Sequence, residues 1–336
     1  MIDFLIVGHG LAGSVLSHLL RRDGKRVLVL DNAFSHSASK VAAGLINPLI
    51  GPKFNTPIEL EQCLLANAAF FGAWEDELGE PLLKKFLLHR IFVSARQKDR
   101  WNEKMKTSCF LRYAHSIETV KFYEQNSILA PWGGGIQLAQ RLDFTSLLKA
   151  SEEKLKDDDS WAEGKFIESD WSEAKKIIFC EGYRVIRNPW FGGLPFAPAQ
   201  GEILLLKKEA PLAASNGTWI IPEKEKGSLA GSTWKHDDLE SGNTDRAKEA
   251  ILANLSQFTP KFDEEITGQR SGVRSGTRDR TPIIGKHTKN PRMHLFNGFG
   301  SRGATTIVHH AKLMRDFVLL NRPLPRQVNL ERFEKK

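Results

Sequence analysis

The sequence predicts an α/β protein, α+β overall, in which a strand–helix–strand unit is interleaved with a mainly antiparallel β-sheet. The chain opens with an apolar run, a glycine turn, a helical stretch and a second apolar run that ends on an acid. Short runs of β-forming residues separated by turn residues occupy the middle part, which is typical of an antiparallel sheet. A glycine-rich turn and an amphipathic helical stretch follow near the C-terminus.

The N-terminal turn has the pattern of a dinucleotide-binding site. After an apolar strand, Gly8, Gly10 and Gly13 follow in the spacing Gly-x-Gly-x-x-Gly. Gly8 allows the tight turn, Gly10 lets the backbone approach a diphosphate, and Gly13 lets the helix pack closely on the sheet. The free N–H groups at the helix start, at Leu11 and Ala12, are expected to bind the phosphates.

The second strand ends on an acid that suits a ribose. Asp31 lies 18 residues beyond Gly13 and is expected to accept hydrogen bonds from ribose hydroxyls, with Asn32 beside it. The alternative is a glycine-containing turn in an ordinary α/β protein. That alternative does not account for three glycines and an acid in one pattern, so we predict a Rossmann-like dinucleotide-binding domain.

Length and composition indicate a globular protein of about two domains. The 336 residues are 41% hydrophobic and 26% charged, and no apolar run is long enough to span a bilayer. Cys63, Cys109 and Cys180 offer neither a disulfide framework nor a CxxC metal pair. We therefore expect a cytoplasmic protein without a membrane span and without a metal site.

The net charge of +8 is unevenly distributed. Residues 268–336 contain 15 Lys and Arg against 4 Asp and Glu, so the rest of the chain is slightly acidic. A local excess of positive charge attracts anions such as a cofactor diphosphate, a substrate carboxylate or RNA. A solvated basic surface explains many of these residues equally well.

The region between the two informative ends predicts further helices and strands. Thr56 and Pro57 have the residue types of a helix start, and Asp143 is placed to cap another helix. The triplet Gly133–Gly135 predicts a chain break. Short strands are expected at residues 86–94, 166–167, 176–179, 203–206, 219–221 and 228–234, and a helix at 247–258.

Two C-terminal segments carry the second informative pattern. Residues 272–285 read Gly-Val-Arg-Ser-Gly-Thr-Arg-Asp-Arg-Thr-Pro-Ile-Ile-Gly, and residues 295–306 read Leu-Phe-Asn-Gly-Phe-Gly-Ser-Arg-Gly-Ala-Thr-Thr. Together with the N-terminal turn, they resemble the D-amino-acid oxidase/glycine oxidase (DAO) family of FAD enzymes. The resemblance covers most of the chain and is weakest at residues 85–130. It implies a flavin-contacting loop at Ser39, Ala42, Ala43 and Gly44.

Within that family the motifs are most similar to one branch. Arg278-Asp279, Pro282 and residues 298–303 resemble the FAD domain of the bifunctional enzyme that builds methylaminomethyl side chains on tRNA wobble uridine. The resemblance is to that FAD domain and not to the methyltransferase domain of the same enzyme.

The glycine-rich C-terminal turn is expected to face the flavin. A helix that begins near Ala304 presents unpaired N–H groups and a positive dipole end, which favour the negative charge of reduced flavin. A glycine-rich turn before a surface helix is the alternative. The expected flavin contacts are Gly182, Gly298, Gly300, Ser301, Arg302, Gly303, Ala304 and Thr305.

Two arginines are the candidates for contact with the substrate. The resemblance implies that Arg274 pairs with the carboxylate of an amino acid, and a guanidinium suits a carboxylate in two parallel hydrogen bonds. A structural ion pair is the alternative for Arg274. Arg302 is the second catalytic candidate, with flavin, phosphate and substrate all open as partners. Since the C-terminal motifs contain no cysteine, FAD is expected to be non-covalent.

The resemblance implies FAD-dependent oxidation of a C–N bond in an amino acid or secondary amine, with hydride transfer to flavin N5. One alternative is flavin-dependent removal of a carboxymethyl group from a tRNA wobble-uridine aminomethyl side chain. An alternative of another class is a non-catalytic basic RNA-binding protein. The expected partner is a small amine or amino-acid substrate, with tRNA open and the oligomeric state undetermined.

The two ends of the chain must meet at one cofactor, so the FAD-binding domain is expected to be discontinuous. We assign residues 1–80, 139–195 and 268–336 to it. Residues 81–138 and 196–267 are assigned to the substrate domain.

Overall fold

The computed structural model describes residues 1–32, 37–57, 59–260 and 265–333. The strands in these ranges are β1 Ile2–Val7, β2 Val27–Asp31, β3 Leu45–Ile46, β4 Leu83–Ile91, β5 Ala114–Glu118, β6 Gly134–Leu142, β7 Trp161–Glu163, β8 Ala174–Phe179, β9 Ala199–Leu206, β10 Ala214–Ser215, β11 Trp219–Glu223, β12 Gly227–Gly231, β13 Ile266–Arg274, β14 Ile283–Lys286 and β15 Met293–Asn297. The helices are α1 Leu11–Arg22, α2 Ala38–Val41, α3 Leu60–Leu78, α4 Ala95–Lys104, α5 Ser108–Leu111, α6 Val120–Gln125, α7 Phe144–Asp157, α8 Asp245–Ser256 and α9 Gly303–Leu320.

The first sheet has the strand order β14-β15-β8-β1-β2-β7. Its pairs are parallel except β14 with β15, and α1 connects the neighbouring strands β1 and β2. This is the strand–helix–strand unit that the sequence predicts. Because parallel strands end at the same edge, the turns after β1, β2 and β8 come together there.

Both faces of this sheet are buried, which explains the uninterrupted apolar runs of its strands. Phe4 and Ile6 pack in one cluster with residues of α1, α3 and α9. Leu5 and Val7 point to the opposite face and join a second cluster that includes Phe179. The sheet is therefore a central layer between two apolar clusters.

The second sheet has nine strands in the order β13-β9-β12-β11-β10-β4-β6-β3, with β5 also paired to β6. Its pairs are antiparallel except β10 with β4, which is parallel. The mainly antiparallel sheet predicted for the middle of the chain is therefore present. An isolated bridge between Ser37 and Val273 connects the segment after β2 to this sheet.

Three segments of the second sheet bear on the proposed domain assignment. Strands β3, β6 and β13 all pair within this sheet, whereas residues 45–46, 139–142 and 268–274 were assigned from the sequence to the FAD-binding domain. Strands β6 and β13 each continue across an assigned boundary, at 138/139 and 267/268. The division into two domains remains a prediction. Any domain boundary must take account of the pairing of these three segments within the second sheet.

The predicted helix start, with Thr56 as the cap residue, lies three residues too early, because the cap position of α3 is Glu59. α3 begins at Leu60, and its N-cap residue Glu59 makes no side-chain capping bond. The Leu60 N–H donates to the Pro57 carbonyl at 3.1 Å, so a tighter turn precedes the helix. Ile58, which belongs to the predicted start, lies outside the described residues. The predicted cap of α7 is correct, since Asp143 accepts from the Ser146 N–H at 3.1 Å.

Two further local predictions need correction. Residues 166–167 are not a strand, and the Phe166 ring packs edge-on against Phe179 and Trp190. The predicted break at Gly133–Gly135 is correct for Gly133, which has a φ of +71° and closes a turn by donating its N–H to the Ala130 carbonyl at 2.8 Å. It is wrong for Gly134 and Gly135, which begin strand β6. A Cβ on Gly135 would lie 2.2 Å from the Trp101 ring, so this glycine provides space for an aromatic side chain.

Candidate active site

A cavity of about 700 Å³ lies where the two sheets meet. Its lining begins at the carboxyl ends of β1, β2 and β8 and extends to the start of α9. The opposite part of the wall includes one residue from each of three strands of the second sheet: Ile203 of β9, Trp219 of β11 and Arg274 of β13. Both termini of the chain therefore contribute to one cavity, as the sequence predicts.

At two positions of the N-terminal glycine turn, the surrounding backbone leaves no room for a side chain. Gly8 has a φ of +103°, and a Cβ there would lie 2.7 Å from the Cys180 carbonyl oxygen. A Cβ on Gly13 would lie 1.9 Å from the Gly8 carbonyl oxygen. These contacts bring β1, β8 and α1 together, which places the helix start directly at the cavity.

The start of α1 is suited to an anion. The N-cap residue is Gly10, which has no side chain that could accept a hydrogen bond from the helix start, and the first turn contains no acidic residue. Leu11 and Ala12 line the cavity. The Leu11 N–H donates to the Ser39 hydroxyl at 3.0 Å, which ties the segment after β2 to the helix start. The expectation of a free N–H at Leu11 is therefore wrong in this structure, because Ser39 already accepts its hydrogen bond.

Asp31 lies at the cavity edge and is anchored by the glycine turn. Its Oδ1 accepts the His9 backbone N–H at 2.8 Å. The His9 ring is buried and shares a hydrogen bond with the Ser151 hydroxyl at 3.0 Å. Burial lowers the pKa of His9 to about 4, so its ring is neutral at pH 7 and adds no positive charge to the turn.

The start of α9 also lies at the cavity. Arg302 is its N-cap residue, makes no side-chain capping bond, and is followed by no acidic residue in the first turn. Gly300 has a φ of +56° and donates its N–H to the Ser275 carbonyl at 2.8 Å. The Asn297 amide donates to the Gly182 carbonyl at 2.9 Å and thereby links this loop to the turn after β8.

Cations outnumber carboxylates among the cavity-lining residues. The cations are Lys40, Lys165, Arg184, Arg187, Arg274 and Arg302, and the carboxylates are Asp31, Glu168 and Glu181. Burial raises the pKa of Glu181, whose carboxylate accepts the Asn188 amide at 2.7 Å. The resulting electrostatic environment favours an anionic ligand.

Arg274 is held by polar groups other than a carboxylate. Its two terminal nitrogens donate to the Thr233 carbonyl at 3.1 Å and to the Ser232 hydroxyl at 2.9 Å. The guanidinium carbon lies 4.3 Å from the centre of the Trp234 ring. Burial lowers the pKa of Arg274 to about 10. In the described part of the chain no ion pair joins it to a carboxylate.

Arg302 has a different environment from Arg274. One of its terminal nitrogens donates to the Arg280 carbonyl at 2.7 Å, in the turn that precedes β14. Arg302 lines the cavity near the start of α9. The structure therefore brings both predicted arginines to one cavity and attaches each to a different element.

The other predicted contact residues also meet at this cavity, with two exceptions. Gly13 and Gly298 do not line it. Gly13 packs beneath the turn, and a Cβ on Gly298 would lie 2.8 Å from a methyl carbon of Thr277. The lining residues are Gly8, Gly10, Leu11, Ala12, Asp31, Asn32, Ser39, Ala42, Ala43, Gly44, Gly182, Gly300, Ser301, Arg302, Gly303, Ala304 and Thr305.

Several lining residues were not found from the sequence. Glu181, Asn47 and Ile50 are examples. The position of Glu181 directly after a buried strand was an available signal, because strand ends of a parallel sheet form the binding edge. The tryptophans Trp190, Trp219 and Trp234 also line the cavity, whereas Trp132 does not.

No cluster of three or more His, Cys, Asp or Glu side chains in the described residues is arranged to hold a metal ion. No described helix combines the length and apolar character needed to cross a bilayer.

The DAO family, described as FAD dependent oxidoreductase, matches residues 3–317. The glycine oxidase of Pseudomonas aeruginosa is 25% identical over 136 residues, which are 39% of this chain and 37% of that protein. The tRNA 5-methylaminomethyl-2-thiouridine biosynthesis bifunctional protein MnmC of Campylobacter concisus is 23% identical, with 95% of this chain and 56% of that protein covered. The chain thus spans little more than half the length of this MnmC relative.

Solved structures with the same fold cover nearly the whole chain. The glycine oxidase of Geobacillus kaustophilus has a TM-score of 0.82 at 18% identity, with 99% of each chain covered. The iminodiacetate oxidase of Chelativorans sp. BNC1 has a TM-score of 0.77 at 19% identity, with 98% of each chain covered. Because the family match extends over nearly all of its residues, the chain belongs to the DAO family of FAD-dependent oxidoreductases.

Proposed function

We propose that this protein oxidises a C–N bond of an amino acid or a secondary amine, with the hydride passing to flavin N5. The single observation that carries this proposal is Arg274, a desolvated cation at the cavity that forms no ion pair with any carboxylate of the described residues. A substrate carboxylate would complete its environment, because guanidinium groups bind carboxylates in paired hydrogen bonds. The likeness to glycine oxidase and iminodiacetate oxidase structures supports the same class of substrate.

The cavity fits FAD at both of its ends. The turn from Gly8 to Ala12 and the start of α1 would hold the diphosphate, and Asp31 would accept the ribose hydroxyls. Residues 42–44 and 300–305 would hold the ring system. A Cβ on the cavity-lining Gly182 would meet no atom within 4 Å, so the space beside this residue is open. When bound, FAD supplies a two-electron acceptor for the substrate hydride.

The side chains and helix ends of this chain would orient the substrate. Arg274 would fix the carboxylate, and the start of α9 would favour negative charge at the adjacent edge of the cavity. Ile50, Ile203 and Trp219 provide apolar walls that reduce the access of water. A substrate that binds with a neutral amine needs no side-chain base, so we assign none.

The test is an absorbance spectrum of the purified protein, followed by anaerobic addition of amino acids and secondary amines. A flavin spectrum that bleaches with one of these substrates is expected. Flavin that stays oxidised with every amino acid and amine would contradict the proposal.

Arg274→Met should raise KM by about 30- to 1,000-fold, which is the usual loss when one partner of a buried charge pair is removed. Arg274→Lys should recover only part of this loss, because lysine lacks the planar fork. The control is Arg270→Met, which removes an exposed arginine from the same strand. Steady-state kinetics that show equal KM values for wild type and Arg274→Met would contradict the assigned role.

A second candidate function is removal of a carboxymethyl group from the aminomethyl side chain of a tRNA wobble uridine. It is supported by similarity to MnmC proteins over 95% and 96% of this chain and by the basic segment 268–336. Flavin bleaching with modified tRNA and not with free amino acids would select this function. The binding of tRNA to the protein should weaken steeply with increasing salt concentration, because each contact with a phosphate releases counterions.

We also infer that FAD is held without a covalent bond. Cys180 lines the cavity, but burial raises its thiol pKa well above the usual range, which disfavours the reactive thiolate. Acid precipitation should therefore leave all flavin in the supernatant, and a yellow pellet would contradict this.

A cytoplasmic location also remains a proposal, supported by the unpaired state of Cys63, Cys109 and Cys180.

A further inference from the structure

Ala42, Ala43 and Gly44 form a short segment between α2 and β3 that lines the cavity. Strand β6 fixes the end of this segment, because the Leu142 N–H donates to the Gly44 carbonyl at 3.0 Å. Gly44 has a φ of +72°, and a Cβ there would lie 1.9 Å from the Leu142 carbonyl oxygen. The backbone of Gly44 therefore lies directly against β6, and no side chain could be added there without moving the segment.

Arg141 of β6 fixes the middle of the same segment. Its Nε–H donates to the Ala43 carbonyl at 3.0 Å, and Ala43 is buried. No backbone N–H of the described residues donates to this carbonyl. Because a buried carbonyl without a hydrogen bond is costly, the guanidinium supplies the partner that holds Ala43 in its orientation.

Glu223, at the end of β11, fixes the guanidinium in turn. One of its carboxylate oxygens lies 2.6 Å from a terminal nitrogen of Arg141. Because a guanidinium is planar, its donors point in fixed directions, so the contact with Glu223 determines where the Nε–H points. The two side chains keep 25% and 23% of their surface exposed, and partly exposed ion pairs add little to the stability of a fold. The pair therefore acts on the orientation of the segment more than on the stability of the protein.

A neighbouring cation makes the carboxylate necessary. Lys84 of β4 lies directly opposite Arg141 in the register of the sheet. Side chains at directly paired positions project from the same face, so these two cations are neighbours and repel each other. Glu223 offsets this repulsion and keeps the Arg141 guanidinium at the Ala43 carbonyl.

We propose that Arg141 is a positioning residue for FAD, which holds the segment 42–44 against the flavin ring, and that Glu223 orients Arg141 for this role. This inference rests on the proposed function, because it takes residues 42–44 as part of the wall around the ring system. Neither Arg141 nor Glu223 is among the cavity-lining residues. Both therefore act through the backbone of Ala43.

The test is titration of FAD into the flavin-free protein, with binding followed by flavin fluorescence. Arg141→Met removes both contacts and should raise the FAD dissociation constant about tenfold, because hydrogen bonds from charged donors are strong. Arg141→Lys should recover part of the affinity, since an ammonium group can still donate to one of the two acceptors. The control is Lys84→Met, which removes an exposed cation from the opposite position and should change the dissociation constant less than about twofold.

A double-mutant cycle connects the two side chains. Glu223→Gln should weaken FAD binding about threefold in the wild-type protein, because it removes the charge that orients Arg141. In the Arg141→Met background the same substitution should have no effect, since no guanidinium remains to be oriented. Equal effects of Glu223→Gln in both backgrounds would contradict the role assigned to Glu223.

Urea denaturation of the flavin-free variants separates positioning from general destabilisation. We expect the unfolding midpoint of Arg141→Met to stay close to that of Lys84→Met, although its FAD affinity falls. Three outcomes would overturn the role of Arg141. These are equal FAD affinities in Arg141→Met and Lys84→Met, no recovery in Arg141→Lys, and a loss of affinity accompanied by a large drop in the unfolding midpoint.

The proposed oxidation and the role of Arg141 can fail separately. If no amine or amino acid reduces the flavin while Arg141→Met still binds FAD more weakly, the proposed function fails and the role of Arg141 stands. If an amine bleaches the flavin and Arg141→Met binds FAD as tightly as the wild type, only the role of Arg141 fails.

Discussion

Glycines with different roles illustrate what can be inferred about single residues. The spacing of Gly8, Gly10 and Gly13 predicts a turn, because such a motif is encoded by neighbouring residues. The role of Gly135 depends instead on Trp101, which is distant in the sequence and close in space. The sequence pattern therefore predicts the N-terminal turn and the break at Gly133 correctly. It does not reveal that Gly134 and Gly135 belong to a strand.

Gly13→Ala tests the close contact between α1 and the turn. The added Cβ would lie 1.9 Å from the Gly8 carbonyl oxygen, so the helix must move away from the cavity. We expect the free energy of unfolding to fall by about 1–3 kcal/mol and the FAD dissociation constant to rise. Thermal melting and FAD titration measure these two effects.

The control for this prediction is Gly72→Ala in α3. A Cβ there meets no atom within 4 Å. Alanine should stabilise the helix by about 0.5–1 kcal/mol, because glycine is entropically unfavourable within helices. Similar effects of the two substitutions would show that packing at Gly13 is not the cause.

Among the helices, α9 depends on α3 for its position at the cavity. Asn67 of α3 is fully buried, and its amide donates to the Ala304 carbonyl at 2.9 Å and to the Thr305 carbonyl at 3.2 Å. Both carbonyls belong to the first turn of α9. The sequence predicts the helix itself, but it does not reveal that a distant asparagine anchors its start.

Asn67→Ala should destabilise the protein and loosen the start of α9. Loss of a buried hydrogen bond costs about 1–3 kcal/mol, and a displaced helix start should weaken FAD binding. Urea denaturation and FAD titration measure the two effects, with the exposed Asn254→Ala in α8 as control. Unchanged FAD affinity in a destabilised Asn67→Ala protein would refute the positioning role and leave a purely structural one.

At the scale of the whole molecule, buried histidines couple stability to pH. Burial lowers the pKa of His9, His18, His89 and His294 from 6.5 to about 4. Between these two values the unfolded chain binds more protons than the folded protein. The free energy of unfolding should therefore decrease as the pH falls from 6.5 towards 4, by up to about 1.4 kcal/mol per pH unit for each histidine.

Urea denaturation at several pH values between 4 and 7 tests this dependence. His18→Leu removes one of the linked groups, and leucine suits a site between Phe70 and Trp74. The variant should show a shallower dependence on pH than the wild type. Identical slopes for the two proteins would argue against a contribution from His18.

The sequence by itself determined the N-terminal glycine turn, the class of fold and the family of FAD-dependent oxidoreductases. These features are encoded by local spacing of glycines, apolar residues and acids, and the family match over residues 3–317 confirms the family. The tertiary structure alone brought Arg274, Trp234 and the starts of α1 and α9 to one cavity. Their proximity depends on how two sheets meet, which involves contacts between residues far apart in the chain and leaves no periodic pattern in the sequence.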